Sequence, residues 1–173
     1  MAVTTTSNKS SAKIVDSSAD SLVGKLRADY PQFIFKSGRR EHWSPKTSTI
    51  TFNPGQKPLD LKYSLLHELA HALLGHRTYQ TDFELLKLEA EAWELASKIG
   101  RGYGMQIDTG HIQNCLDTYR DWLHRRSTCP DCDVHVLQAS SNRYVCFNCG
   151  TSWKVSNRRF ARPYRSQQVK PGA

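Results

Sequence analysis

Two histidines and a glutamate stand together in the segment HELAH, as His67, Glu68 and His71. On a helix, residues four apart lie about 40° apart in projection, so both imidazole rings face one side and can bind one metal ion. Glu68 is adjacent, where its carboxylate can take a proton from a metal-bound water and return it to a leaving amine. Imidazole and carboxylate ligands with one position for water favour a catalytic zinc ion. The pattern therefore predicts zinc-dependent hydrolysis.

A catalytic zinc ion usually has a third protein ligand, and several candidates follow the motif. His76 lies five residues after His71, about 140° around the helix, and it turns back only if Gly75 breaks the helix. Better candidates are the carboxylates of the next predicted helix: Glu89, Glu91 and Glu94. A buried carboxylate beside two neutral imidazoles is costly unless it binds the ion. Of the three, Glu94 best fits a solvated helix face.

Four of the five cysteines form a second candidate metal site, with the spacing CxxC, thirteen residues, CxxC: Cys129, Cys132, Cys146 and Cys149. Each pair bends in a tight turn that brings two thiolates to one ion, and two such turns make a closed tetrahedral site. The thirteen intervening residues suffice for a β-hairpin. The pattern predicts a structural zinc ribbon whose folding depends on the metal. The fifth cysteine, Cys115, is expected to be a core thiol.

The elements that position these residues follow from apolar periodicity and turn residues. Four helices are predicted, over residues 20–29, 61–74, 83–99 and 111–124. For the second helix we expect Asp60 as the N-cap and Gly75 as the stop, and Gly100 ends the third helix. Strands are predicted at 33–35 and 49–52, and within the cysteine segment at 135–138, 143–145 and 152–155.

The predicted fold is α+β, with a zincin-like metallopeptidase domain followed by a small zinc ribbon. The boundaries are a disordered N-terminal tail at 1–17, the metallopeptidase domain at 18–126, the ribbon at 127–155 and a basic C-terminal tail at 156–173. By analogy with zincins, the strand at 49–52 is expected to be the sheet edge on which a peptide substrate adds as a further strand. Candidates for stabilising the oxyanion are His76, Tyr63 and Tyr79.

Charge is unevenly distributed along the chain. Lys and Arg total 24 against 16 for Asp and Glu, a net charge of +8, and no acidic residue follows Asp133. This asymmetry suggests contact with nucleic acid through the basic C-terminal region, whose aromatic residues could stack on bases, whereas a solubilising tail is the alternative. Trp153 is expected instead to cover the small core of the ribbon. No apolar run is long enough to span a membrane, and the cysteine usage and the absence of a signal sequence predict a cytoplasmic protein.

The two segments HELAHALLGH and LEAEAWELA are similar to those of the ImmA/IrrE group of zinc metallopeptidases. In that family HELGH on one helix is followed by E-x-E-A-N-x-F-A on the next, and the resemblance covers roughly residues 33–100. It implies that Glu89 is the third zinc ligand, with Glu91 second in order. The family's Asn position is occupied by Trp93 in this chain. The resemblance also implies an intracellular endopeptidase that cleaves a protein substrate such as a repressor or another regulatory protein.

Two alternatives remain at this point. SprT-like metalloproteases also join HExxH to a Cys₄ ribbon and act on proteins bound to DNA. Their third ligand is a histidine in an H-G-x-x-aromatic context, whereas this chain has Gly110-His111-Ile112. The other alternative is not an enzyme but a zinc-stabilised adaptor that binds nucleic acid, in which the HExxH site is only structural.

Overall fold

The computed structural model of the chain describes residues 17–156 and 165–167. In this part, four helices and two small sheets form a mixed α+β structure. The helices are α1 (Ser17–Asp29), α2 (Pro58–Leu73), α3 (Asp82–Gly102) and α4 (Thr109–Ser127). The strands are β1 (Ile34–Ser37), β2 (His42–Ser44), β3 (Thr49–Phe52), β4 (Gln138–Ser140), β5 (Arg143–Val145), β6 (Ser152–Val155) and β7 (Arg165–Gln167). None of the described helices has the length and apolar character needed to cross a bilayer.

The first sheet has the strand order β1-β3-β2, with β1 parallel and β2 antiparallel to β3. The expectation that the strand at 49–52 forms the sheet edge is therefore wrong, because β3 is paired on both sides and the edges are β1 and β2. The sequence analysis missed β2, a short strand with polar residues on both sides of Trp43. On one face Phe35, Ile50 and Trp43 stand in register and pack against the core.

Helix α2 begins at Pro58, with Lys57 as the N-cap residue. Asp60 is therefore not the N-cap but lies in the first turn of the helix. The helix starts earlier than predicted because proline suits the first helical position: its φ is fixed near the helical value, and it has no backbone N–H that would be left without a partner there. The helix buries a face of leucines, each at most 1% exposed: Leu65, Leu66 and Leu69. Full burial of one such side chain contributes about 1.5 to 3 kcal/mol. This packing fixes the rotation of α2 and therefore the direction in which its histidines point.

The C-terminus of α2 reverses the chain, as the sequence predicts. Gly75 takes a left-handed backbone conformation with φ of 68°. Its N–H donates to the carbonyl of Ala72 at 3.2 Å, and the N–H of His76 donates to the carbonyl of His71 at 3.0 Å. These two bonds form a Schellman motif. The reversal returns His76 to the last turn of α2, beside His71.

Helix α3 begins after Thr81, whose side chain caps the first turn. It continues through Gly100, so the prediction that this glycine stops the helix is wrong. A Cβ at Gly100 would lie 3.1 Å from the carbonyl oxygen of Met105, so a glycine fits here because the backbone approaches closely. The left-handed residue after the helix is Gly104, with φ of 70°. Asp108 caps the next helix, α4.

The second sheet, β4-β5-β6-β7, belongs to the cysteine segment and is antiparallel throughout. Strands β5 and β6 lie where the sequence predicts them, whereas the strand predicted at 135–138 is displaced to β4. Strand β7 falls within the stretch predicted to be a basic tail and pairs with β6. Residues 157–164 and 168–173 of that tail, and residues 1–16 of the predicted N-terminal tail, lie outside the described residues. Trp153 is fully buried in the ribbon core, as expected.

A buried ion pair between α3 and α4 lies next to the predicted domain boundary at 126/127 and receives hydrogen bonds from the ribbon. Arg126, only 1% exposed, donates to Asp82 of α3 at 2.7 and 3.2 Å. Tyr144 of β5 donates its hydroxyl to the same carboxylate, and the indole of Trp153 donates to the carbonyl of Arg126 at 2.9 Å. The guanidinium also lies 4.2 Å above the ring centre of Trp122. The ribbon is therefore docked on α3 and α4 by a network in which charges are paired.

We expect Arg126→Ala to lower the free energy of unfolding by about 3 to 5 kcal/mol, because it leaves the carboxylate of Asp82 buried without its cation. The matched control is Arg120→Ala, which removes an exposed partner of Asp117 on the same helix. Such an exposed pair contributes about 0.2 to 1 kcal/mol. Urea unfolding of the full chain measures both, and equal effects would contradict a structural role for the buried pair.

Candidate metal centres

Three donor atoms from α2 and α3 converge on one point. The Nε2 atoms of His67 and His71 lie 3.1 Å apart, and Oε2 of Glu89 lies 3.1 Å from the first and 3.7 Å from the second. All three atoms lie within 4.8 Å of one another and could hold a metal ion. Two imidazoles and one carboxylate are the donors of many catalytic zinc sites. The structure thus brings together the residues that the sequence analysis selected.

Glu89 faces α2 because it lies on the buried side of α3. Apart from Asp82 in the first turn, the other buried residues of α3 are apolar or small: Leu85, Ala92, Trp93, Ala96 and Gly100. Burial raises the pKa of Glu89, but hydrogen bonds with His67 and His71 outweigh it and hold the pKa well below its ordinary value. The carboxylate is therefore ionised in spite of its burial.

The two other candidate carboxylates of α3 point elsewhere. Glu91, with a side chain 42% exposed, pairs with His76 at 3.7 Å and with Lys87 at 3.8 Å. Glu94 is exposed and pairs with Lys98 at 2.6 Å. The expectation that Glu94 lies on a solvated face is confirmed, and neither residue joins the donor group.

Trp93 supports the first histidine. Its ring stacks on the imidazole of His67, with centroids 4.2 Å apart and an angle of 27° between the planes. Trp93 lies one helical turn after Glu89, and its stacking restricts the orientation of His67, a candidate metal ligand. The sequence analysis did not identify this contact, although the spacing of four residues on a buried face is a signal for it.

His76 contacts a ligand rather than joining the group of donors. Its Nδ1 lies 2.8 Å from Nδ1 of His71, on the side of that ring away from Glu89. Burial and the neighbouring His71 lower the pKa of His76, which favours the neutral ring. With a metal ion bound to Nε2 of His71, the Nδ1 of that ring would carry the proton and could donate to His76. Such an outer hydrogen bond fixes the tautomer and orientation of a ligating imidazole.

We expect His76→Ala to weaken zinc binding at the His₂Glu group by about 10- to 100-fold, because His71 loses the acceptor that fixes its tautomer. Titration against a chromogenic zinc chelator measures the affinity. His42→Ala is the control, since it removes an exposed imidazole of the same cleft that lies outside the group of three converging donors. Equal affinities of the two variants would contradict the role of His76.

Glu68 lies beside the donor group and is half-buried. Burial raises its pKa to about 7, with Glu89 and Glu41 contributing to the rise and His71 opposing it. A carboxyl group with a pKa near neutrality can both accept and return a proton. The backbone N–H of Trp43, in edge strand β2, donates to the Glu68 carboxylate and ties it to the sheet.

Two recesses of about 270 and 500 Å³ flank the donor group. Both are lined by a shared set of residues: Glu41, His67, Glu68, Glu89 and Tyr119. The sequence analysis missed Glu41 and Tyr119, which carry no motif. Of the oxyanion candidates, Tyr79 and His76 line the smaller recess, whereas the hydroxyl of Tyr63 donates to the carbonyl of Gln106 at 3.2 Å. Cys115, half-buried and packed against the core, lines the larger recess.

The four remaining cysteines form the second group, with all sulfur atoms within 4.8 Å of one another. Both turns are built alike. Asp133 and Gly150, each four residues after the first cysteine of its turn, have a positive φ and donate an N–H to that cysteine's carbonyl. A hydrogen bond with Thr151 lowers the pKa of Cys149 to about 6, whereas burial raises that of Cys129 to about 11.

The described residues therefore contain two separate groups that could hold metal ions. One consists of two imidazoles and a carboxylate between two solvent-accessible recesses, and the other consists of four thiols. Comparison of the chain with protein-family models, curated proteins and solved structures finds no match.

Proposed function

We propose that the protein is a zinc-dependent endopeptidase with a zincin-like catalytic domain and a structural zinc ribbon. The observation that carries the proposal is the convergence of His67, His71 and Glu89 with the half-buried carboxyl group of Glu68 beside them. The three donors match a catalytic zinc site that leaves one position for water. Zinc bound there would lower the pKa of water toward about 7 and polarise the carbonyl of the scissile bond.

The proton transfer and the positioning of the zinc ligands are assigned to residues of the chain. Glu68 takes the proton from the attacking water and passes it to the departing amine. His76 accepts a hydrogen bond from His71 and holds that ring in place, while Trp93 stacks on His67. Tyr79 and Tyr119 line the cleft and are candidates for contact with the oxyanion.

The cleft favours cleavage within a chain over cleavage at its end. Two recesses adjoin the donor group, one lined also by Tyr79 and the other also by Thr118, so a polypeptide has room to continue beyond the scissile bond in each of them. Edge strand β2 borders the smaller recess through His42 and Trp43. Apart from the N–H of Trp43, which donates to Glu68, its outer edge is open to an added substrate strand, whereas the central strand β3 is paired on both sides.

The resemblance to ImmA/IrrE enzymes supports a cytoplasmic peptidase whose substrate is a regulatory protein. Four thiols in a metal-binding arrangement suit a reducing compartment. In this proposal, the ribbon and the basic segment after Asp133 dock the enzyme on nucleic acid or on a partner protein. The aromatic residues of the ribbon core take no part, because Tyr144 and Trp153 are fully buried.

The test is cleavage of unfolded casein by the zinc-loaded full chain, with the products identified by mass spectrometry. We expect internal cleavage that stops on addition of phenanthroline and returns when zinc is restored. Products shortened only from one end would contradict the endopeptidase. Two bound zinc ions without any cleavage would favour the non-enzymatic adaptor.

A further inference from the structure

The first sheet has an outer face that no other described element covers. Opposite the core face, two cross-strand rows alternate with the buried residues. One row joins Lys36, Thr51 and His42 in register, and the other joins Ile34, Thr49 and Ser44. We call this surface the outer sheet face. On the central strand, the hydroxyl of Thr49 donates to the carbonyl of Thr47 at 3.0 Å and Thr51 is only 8% exposed, so the exposed charged residues around this face are what it offers to a ligand.

The loop between β1 and β2 curls over this face and makes it concave. The N–H of Gly38 donates to the carbonyl of Phe52 at 2.8 Å. A Cβ at Gly38 would lie 2.5 Å from Cγ2 of Thr51, so only a glycine lets the loop approach this closely. The result is a concavity of about 810 Å³ between the loop and the sheet.

The concavity has a basic rim and no acidic residue in its lining. Lys36, Arg39 and Arg40 are exposed and line it, together with the hydroxyl-bearing residues. Within the described part of the chain, none of these three cations forms an ion pair with a carboxylate. Their charges are therefore available to a bound anion, and the concave shape keeps them close to one another.

The concavity continues into the catalytic cleft. Arg40 lines both the concavity and the larger recess beside Glu68. His42 lines both the concavity and the smaller recess. A polypeptide that follows the β2 edge from the donor group can therefore place its neighbouring side chains on the outer sheet face.

We propose that the outer sheet face binds an acidic segment of the protein substrate, rich in Asp or Glu and adjacent to the scissile bond. The inference rests on the proposed peptidase function, because it takes the bound segment to be part of a substrate. Carboxylates of the segment meet Lys36, Arg39 and Arg40, while its backbone runs along the outer edge of β2. The face thus selects substrates by charge.

A peptide fits this surface better than a nucleic acid does. Proteins that bind single strands stack bases on aromatic side chains, and the two rows of the outer sheet face contain no aromatic residue other than the imidazole of His42. The aromatic Trp43 of the same strand faces the core. An exposed strand edge, in contrast, offers backbone groups that only a polypeptide can match as a further strand.

The test is fluorescence anisotropy with a labelled peptide of alternating Glu and Ser, using the zinc-loaded Glu68→Gln chain so that nothing is cleaved. In that background, Lys36→Glu/Arg39→Glu is expected to weaken binding by about tenfold or more. The control is Lys25→Glu/Arg101→Glu, the same change in charge at two exposed positions outside the concavity, which should bind as the parent does. Binding by the parent should also weaken as salt is raised.

Three outcomes overturn the inference: equal binding by the two double variants, indifference of the parent to salt, and tighter binding of a single-stranded oligonucleotide than of the peptide at the same face. The last would assign the face to nucleic acid. Cleavage by the wild-type chain is measured separately. Binding that follows the expected pattern without any cleavage would refute the peptidase function but support the outer sheet face as a site for acidic peptides. Cleavage without any preference for acidic peptides would support the peptidase function but refute the proposed role of the outer sheet face.

Discussion

Glu68→Gln is expected to reduce peptide cleavage by at least about 10²-fold, since general acid–base catalysis contributes about 10²- to 10⁴-fold. The amide has nearly the shape of the carboxylate but cannot take the proton of the attacking water. Because Glu68 is not one of the three converging donors, both metal ions should remain bound. Initial rates of peptide cleavage and metal analysis of the same preparation test the two parts of this prediction.

The matched control is Glu94→Gln, the same chemical change at an exposed carboxylate paired with Lys98 on α3. It should cleave at the wild-type rate. If Glu68→Gln cleaves as fast as wild type, the assigned proton transfer is wrong. If it loses one metal ion, Glu68 acts as a ligand and the loss of activity says nothing about proton transfer.

Glu89→Ala is expected to remove about one zinc equivalent per chain and to abolish cleavage. It deletes one of only three protein donors, so the loss of affinity should exceed the 10- to 100-fold that removal of an outer partner costs. Zinc analysis after gel filtration measures the stoichiometry. The melting temperature gives a second readout, because zinc raises the stability of the folded chain only to the extent that the folded chain binds it.

Glu91→Ala is the control for the choice between the two glutamates. Its side chain is 42% exposed and pairs with His76 and Lys87 instead of joining the donor group, so both zinc equivalents should remain bound. Loss of zinc from Glu91→Ala but not from Glu89→Ala would move the third ligand and contradict the geometry described above.

Much of the candidate site could be predicted from the sequence because its signals are local. His67 and His71 are one helical turn apart, and the CxxC pairs each fit one tight turn. The choice between Glu89 and Glu91 also had a local signal, since residues two apart lie on opposite sides of a helix. The buried face of α3, with Leu85 and Trp93 one turn before and after Glu89, shows which of the two points inward.

Other features depend on contacts between distant residues. The ion pair of Asp82 and Arg126 joins residues 44 positions apart, and a single charged pair has no sequence pattern. Strand β2 forms because β3 provides a partner, and its own residues give a weak strand signal. The place of His76 follows from the backbone conformation of Gly75, so the sequence predicted the reversal but not the contact with His71.

The most direct test is an anomalous difference map recorded at the zinc absorption edge from crystals of the full chain. The account predicts one peak among the four cysteine sulfurs and a second about 2.0 to 2.2 Å from Nε2 of His67, Nε2 of His71 and an oxygen of Glu89, with a water as fourth ligand. The absence of the second peak, or a fourth protein side chain in place of the water, would contradict it.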